Sequence, residues 1–337
     1  MLDLLELLFI IKLIGGLPMT MKDLARLANV SVSAVSKAFS GAEDISEDTK
    51  KHIFEVAKEH GCYNKFYKGK YPKPIIAIIC PELLGSHYSS IVEYLKDVIE
   101  QGGGIALVST DNFDNDKKLE LVEYYSEYLQ VDGIIVINMC KANKVFSTPI
   151  VALFNSADER VDAVQVELKH GIEKAIELFG QLGHRNIAFA GEGHTHAKAK
   201  IFEEKCRREH LHGLIFESSE RFEKAGVDCA KQILAAKEKS TAILCAYDDI
   251  AVGAIKHLKR EGFNIPEDFS VIGIDNISVS EYMECALTTV DEHKASVCDI
   301  AWKLLQKKIK NKYYRPKKKY VFEADLIVRD SVGKAKQ

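Results

Sequence analysis

Three groups of residues in this 337-residue chain have types and spacings that invite a chemical reading. Glu192, His194 and His196 fall in one short glycine-bearing stretch, and a His-x-His pair with a carboxylate is a donor set that can hold zinc. No general base or open-site pattern accompanies it, so no metal is expected there. Asp248 and Asp249 look like paired carboxylates for acid–base work, but neighbours one residue apart at a helix start do not face each other. Gly102, Gly103 and Gly104 precede a strand rather than joining strand to helix, which is the wrong order for a phosphate cradle. None of these makes an enzyme. No catalytic residue, metal or cofactor is expected.

A different chemistry is written into residues 20–40, TMKDLARLANVSVSAVSKAFS. Leu24, Ala25, Leu27 and Ala28 recur at helical spacing behind Thr20, a good N-cap. Asn29 tolerates the left-handed backbone a tight turn needs. Ser31 then caps a second helix with Ala34, Val35 and Ala38 inward and Val32, Ser33 and Lys37 outward. A third helix follows, with Ser46 as N-cap, Ile53, Val56 and Ala57 inward and Gly61 as its stop. Three short helices, the second presenting small polar and basic groups, suit reading of the DNA major groove. A helical bundle used for protein contacts fits the same periodicity.

The elements beyond residue 75 alternate short apolar runs with helical patterns, as a parallel α/β sheet demands. Strands are predicted at residues 75–79, 105–109, 133–137, 150–154, 187–190, 242–246 and 270–274, and helices at 90–101, 119–129, 167–182 and 250–262. Two doubly wound lobes fit this count better than one. The charge is divided: residues 20–74 hold 10 Lys and Arg against 7 Asp and Glu, whereas residues 75–337 hold 35 against 40. A mildly basic head on an acidic body places phosphate contact in the head alone. The eight cysteines show no CxxC and sit in apolar strings, as reduced core residues of a cytoplasmic protein would. The apolar run in residues 1–18 is too short to span a membrane, and Asp3 and Glu6 oppose a secretory signal. It is read as a dispensable extension or a start-site artefact.

The head, followed in order by GHRNIA at 183–188, SVIGID at 270–275, LTTV at 287–290 and LIVRDS at 326–331, resembles the lactose-repressor/galactose-repressor (LacI/GalR) family of bacterial transcription regulators. The resemblance runs from about residue 20 to 331. It implies an all-α helix-turn-helix head at residues 19–62, a linker at 63–74, and a body at 75–337 of periplasmic-binding-protein type. In that body the chain would cross between lobes near Arg160, Val290 and Tyr320, with ligand at the carboxyl ends of the strands.

On that resemblance Val32, Ser33 and Lys37 occupy base-reading positions. Lysine can donate to guanine, Ser33 can pair with several base edges, and Val32 can touch a thymine methyl. Ser31, Ser36 and Ser40 are placed for phosphates, and Thr20 completes the DNA-facing set. Each has a plainer reading too, with Val32 packing and Lys37 merely solvated.

Two departures matter. The linker lacks the family's hinge leucine, and Gly69, Pro72 and Pro74 oppose a helix. Either Phe66 or Tyr67 acts as an apolar wedge, or the stretch is a plain tether. In the cleft Asp275 and Asp248 match family ligand-binding positions, but Lys200 stands for an arginine and Tyr247 for an asparagine. Lysine cannot reproduce the planar fork of arginine, so ligand identity does not carry over. His87 and Tyr88 fall where members line the pocket. Asp275 could instead cap the next loop, and His184 and Arg185 are read as structural. The basic run 307–319 is read as a helix end and crossing segment. The expected partners are an operator duplex, a small sugar-like or nucleobase-like effector and a second copy of the chain, with no membrane. The competing reading is a small-molecule binding module with a vestigial head.

Overall fold

The computed structural model describes residues 19–40, 42, 44–66, 73–311 and 319–336. The readings placed on residues 1–18, on linker residues 67–72 and on 312–318 of the basic run lie outside the described residues. The chain divides into two compact units, a head ending at Pro72 and a body beginning at Lys73.

The head holds α1 (Met21–Leu27), α2 (Val32–Ser40), α3 (Glu47–Glu59) and a short helical turn, α4 (Tyr63–Phe66). Thr20 and Asp23 form a reciprocal capping box, Asn29 takes φ 52° in the turn, and Ser46 Oγ accepts from the Thr49 amide at 3.2 Å. Leu24, Val35, Ile53 and Ala57 are fully buried. Phe66, counted with the linker, is buried in the head core with its ring edge-on to Phe39 at 5.8 Å. That burial takes Phe66 away from the wedge role.

The body holds α5 (Ser86–Gln101), α6 (Asn115–Glu123), α7 (Leu168–Gln181), α8 (His196–Arg208), α9 (Phe222–Ala235), α10 (Asp248–Arg260) and α11 (Lys294–Lys310). Its first sheet contains β1 (Ile75–Cys80), β2 (Ile105–Thr110), β3 (Gly133–Met139), β4 (Ile150–Ser156), β5 (Asp162–Glu167) and β11 (Lys319–Glu323), in the order β11-β5-β4-β3-β1-β2. Its second contains β6 (Asn186–Glu192), β7 (His212–Ser218), β8 (Ala242–Cys245), β9 (Ser270–Ile274), β10 (Thr288–Asp291) and β12 (Asp325–Ile327), in the order β12-β10-β9-β8-β6-β7. All pairings are parallel except β10 with β12. The inner strands IIAIIC and AILC are buried on both faces, which is why they read as unbroken apolar runs.

The chain passes between sheets after Glu167, after Asp291 and at Ala324. The first passage comes seven residues later than expected, because the polar strand Asp162–Glu167 intervenes. The third comes after Tyr320, since β11 must first complete its sheet.

Two glycines lock α9 against α10. A Cβ on Gly226 would stand 2.0 Å from the Ile250 carbonyl oxygen, and one on Gly253 would stand 2.0 Å from that of Glu223. The two backbones therefore touch at a distance that only glycine allows. His184 is structural as expected: its ring nitrogens meet Thr241 Oγ1 at 2.8 Å and Ser270 Oγ at 3.0 Å. All eight cysteines are free, and burial pushes the Cys80 and Cys206 thiols up to about 12.

Candidate functional site

In the head, α2 is held on one side by Val35, Ala38 and Phe39, all buried. That fixes which side chains face solvent. Ser31 Oγ accepts from the Ala34 amide at 3.0 Å, so Ser31 is the N-cap and its own side chain is committed to the helix start. Val32 is 46% exposed, and Ser33, Ser36 and Ser40 are exposed. The Ser40 hydroxyl donates to the Lys37 carbonyl at 3.2 Å. The Lys37 ammonium meets Asp44 Oδ2 at 2.5 Å, and this hydrogen bond holds the Asp44 carboxyl below its usual range. Lys37 is thus not merely solvated but parked on a surface carboxylate. Thr20 is exposed while capping α1. The exposed face is small, polar and basic, with an apolar tip at Val32, and backbone hydrogen bonds and caps hold it in one conformation.

The body's site lies where strands of both sheets end. Asn112, Phe113, Asn138, Phe154, Asp275 and Asn276 all carry positive φ there. Non-glycine residues in that region cost about 1–3 kcal/mol each, which surrounding structure must offset, and such strain clusters at binding sites. Asp275, directly after β9, is 1% exposed with φ 115°. His87, on the first turn of α5, brings Nδ1 to 3.2 Å from Asp275 Oδ1 and 3.1 Å from Glu292 Oε2. Tyr88 packs edge-on to His87 at 4.7 Å between ring centres, and Phe154 packs on its other neighbour side at 5.5 Å. Burial, then the carboxylates of Glu292 and Asp275, push the Tyr88 hydroxyl well above its ordinary range, so it stays a neutral donor.

Two expected site residues are placed differently. Lys200 is exposed on α8. Lys198 instead extends into the cluster, donating to the Ala246 carbonyl at 2.8 Å, lying 4.5 Å over the Tyr247 ring and 3.9 Å from Asp275 Oδ1. Two residues are about 200° apart round a helix, so only one of the pair can face inward. Asp248 is fully buried and faces no open space: it accepts from the Ile277 amide at 2.9 Å and from Thr289 Oγ1 at 2.6 Å. Burial, with Asp275 nearby, pushes its carboxyl up to about 8. It braces the turn that holds Asp275. Asp275 itself is not spent on capping. Burial works to raise its carboxyl, but His87, Lys198 and Lys294 outweigh that and hold it low.

Sequence reasoning missed Glu292, Asn138, Phe154, Lys198 and Arg221. Arg221 binds Glu82 through two nitrogens at 2.7 and 2.8 Å and Glu192 at 2.8 Å, joining the loop after β1 to the end of β6. Ser86 donates through its amide and hydroxyl to Asp249 at 3.0 and 2.6 Å, so a carboxylate of one lobe caps a helix of the other. The suggested zinc donors are dispersed: Glu192 serves Arg221, His194 stacks on Phe113 at 4.3 Å, and His196 meets Glu217 at 3.0 Å. A cavity of about 470 Å³ is lined by residues including Glu82, Thr110, Asn112, Phe113, His194 and Arg221, none of them among the expected effector residues. The one signal available for Glu292 and Arg221 was position: each follows the end of a strand.

The fold and these two sites define a helix-turn-helix head on a periplasmic-binding-type body. Comparison with known proteins agrees. Residues 20–63 match the model of bacterial regulatory proteins of the lacI family, and residues 176–332 match a periplasmic binding protein-like domain. The chain is 28% identical over 340 residues to the probable HTH-type transcriptional repressor ExuR of Bacillus subtilis, covering 93% of this chain and 98% of that one. It superposes on the lac repressor dimer bound to operator and an anti-inducer with a TM-score of 0.72 at 20% identity, over 94% and 100% of the two chains. A LacI family regulator from Enterococcus faecium with bound ribose gives 0.67 at 20% identity, over 78% and 100%. Over residues 20–63 the chain is similar to the lacI family of bacterial regulatory proteins, and the relatives that match it along most of its length are named as transcriptional regulators and repressors.

Proposed function

We propose that this protein is a sequence-specific DNA-binding transcriptional repressor whose operator affinity is set by a small polar effector in the body's cleft. The single observation that carries the reading is α2: a capped helix, rigidly seated by Val35, Ala38 and Phe39, whose outer face offers Val32, Ser33, Ser36 and Lys37. Lys37 exchanges Asp44 for a guanine edge or a phosphate on binding, Ser33 and Val32 read neighbouring base edges, and Ser31, Ser40 and Thr20 lie near the backbone. Two copies of the chain present two heads to a pseudo-palindromic site. The lac repressor dimer on its operator supports this by analogy of fold.

In the body His87, Tyr88, Lys198, Tyr247 and Asp275 supply hydrogen-bonding and aromatic surface for a polyhydroxylated ligand, and the ribose-bound relative supports a sugar-like one. Ligand changes the balance of lobe closure and so the affinity of the paired heads for DNA. No helix among the described residues is long and apolar enough to cross a membrane, and a DNA-binding role places the protein in the cytoplasm. Footprinting of the purified chain on the DNA upstream of its own gene tests the reading. A protected two-fold site, lost in the double variant S33A/K37A, is expected. Absence of any protected site would favour a binding module with an idle head.

A further inference from the structure

We propose that His87, Asp275 and Glu292 bind one divalent transition-metal ion between the two lobes, through His87 Nδ1 and one oxygen of each carboxylate. The assignment goes beyond the repressor reading and rests on it only for the consequence that the metal then tunes the effector cleft.

Donor chemistry comes first. One imidazole and two carboxylates are nitrogen and oxygen ligands that together suit zinc, cobalt or manganese, and the imidazole disfavours magnesium and calcium. Spacing comes next. His87 Nδ1 is 3.2 Å from Asp275 Oδ1 and 3.1 Å from Glu292 Oε2, and the three donor atoms lie within 4.8 Å of one another. Edges of about 3 Å are what bonds of about 2.1 Å at near right angles produce. An organic cation has no room between donors this close.

The third argument is that these atoms face one another and make no well-formed hydrogen bond. His87 Nδ1, both Asp275 carboxylate oxygens and Glu292 Oε2 are buried without a hydrogen-bond partner, in residues where Asp275 is 1% and Glu292 3% exposed. Two buried carboxylates side by side are costly unless positive charge meets them. The nearby lysines contribute charge but do not hydrogen-bond the carboxylate oxygens. Lys294 donates to the backbone carbonyl of Asp275, and Lys198 to that of Ala246 with its ammonium 3.9 Å from Asp275 Oδ1. A dication at the centre meets all three donors together. Its remaining coordination positions would be open to water or to hydroxyls of an effector.

The test uses the full-length chain, stripped with chelator and dialysed, in the absence of DNA. Zn²⁺ is titrated calorimetrically, and Co²⁺ by its visible absorption. One ion per chain is expected, with affinity falling at least about tenfold in E292Q and in D275N, a changed Co²⁺ spectrum in H87Q, and no change in H196A, which controls for casual surface imidazole binding. If E292Q does not fold, as judged by its melting without metal, H87Q carries the test through the Co²⁺ spectrum. A stripped chain that takes up no ion overturns the assignment. So does an ion whose affinity and spectrum ignore all three substitutions, since His87 is then simply an imidazolium bridging two carboxylates. Either failure leaves the operator footprint untouched, and a missing footprint leaves the titration untouched.

Discussion

The head and the body place function in opposite environments. In the head the side chains proposed to read DNA, Val32, Ser33, Ser36 and Lys37, are on the outside of one helix, and their neighbours in sequence are the core that holds it. In the body the side chains proposed to meet the ligand are inside, and His87, Lys198, Tyr247, Asp275 and Glu292 come from five separate segments of chain. An exposed site tolerates substitution without loss of fold, and a buried charged site does not. Stability and function are therefore separable in the head and entangled in the body.

The largest expected effect would break this comparison if it spread. Leu24 is fully buried in a head of a few dozen residues, where total stability is small. L24A should cost about 2–5 kcal/mol, enough to melt the head and abolish operator binding, while calorimetry shows the body's transition unmoved. A joint shift of both transitions would mean the two units fold as one.

In the body the entanglement shows as pH dependence. Asp248 is pushed up to about 8 in the folded state by burial, above the 3.8 of a free aspartate. A group whose folded value is raised stabilises the fold fully below its unfolded value, and that contribution is lost as pH rises towards the folded one. Body stability should accordingly fall between about pH 4 and pH 8 by a few kcal/mol. D248N, which can still offer an oxygen to the Ile277 amide and its NH₂ to Thr289 Oγ1, should flatten that slope in melts taken across this range.

Arg221 sharpens the contrast with Lys37. Removing the first with R221M strands Glu82 and Glu192, 7% and 1% exposed, and should cost the body about 2–3 kcal/mol, below the fully buried case because the arginine is partly solvated. Removing the second with K37A should leave both melting transitions in place and weaken specific operator binding by about 1–2 kcal/mol, with a shallower salt dependence in mobility-shift titrations. Equal stability losses from the two would contradict the division. The smallest change is S46A at the N-cap of α3, about 1 kcal/mol in the head transition alone.

How much could be read from sequence follows the same line. Head geometry is local: Thr20, Asn29, Ser31 and Ser46 each act within three or four residues, so caps, turn and outward face were legible from spacing. The inner strands were legible from their apolar runs. The edge strand β2 was legible as well, but β5, β7, β10, β11 and β12 were not. HGLIFES at the edge of the second sheet and DAVQVE, next to the edge strand of the first, carry polar residues because one face or one end is wet, and β10 spans four residues. The cleft depends on long-range pairing. Choosing Lys198 over Lys200 needed the rotation of α8, which sequence spacing to a family motif did not supply. Glu292 becomes a partner of His87 only after the chain has returned from the second sheet to the first.

The glycine contact between α9 and α10 has a mechanical consequence. Arg221 precedes the first of these helices and Asp249 begins the second, and the interlocked backbones forbid one to slide without the other. The grips on Glu82 and Ser86 are thus carried by one helix pair, so the second lobe holds the first from a single stiff mount.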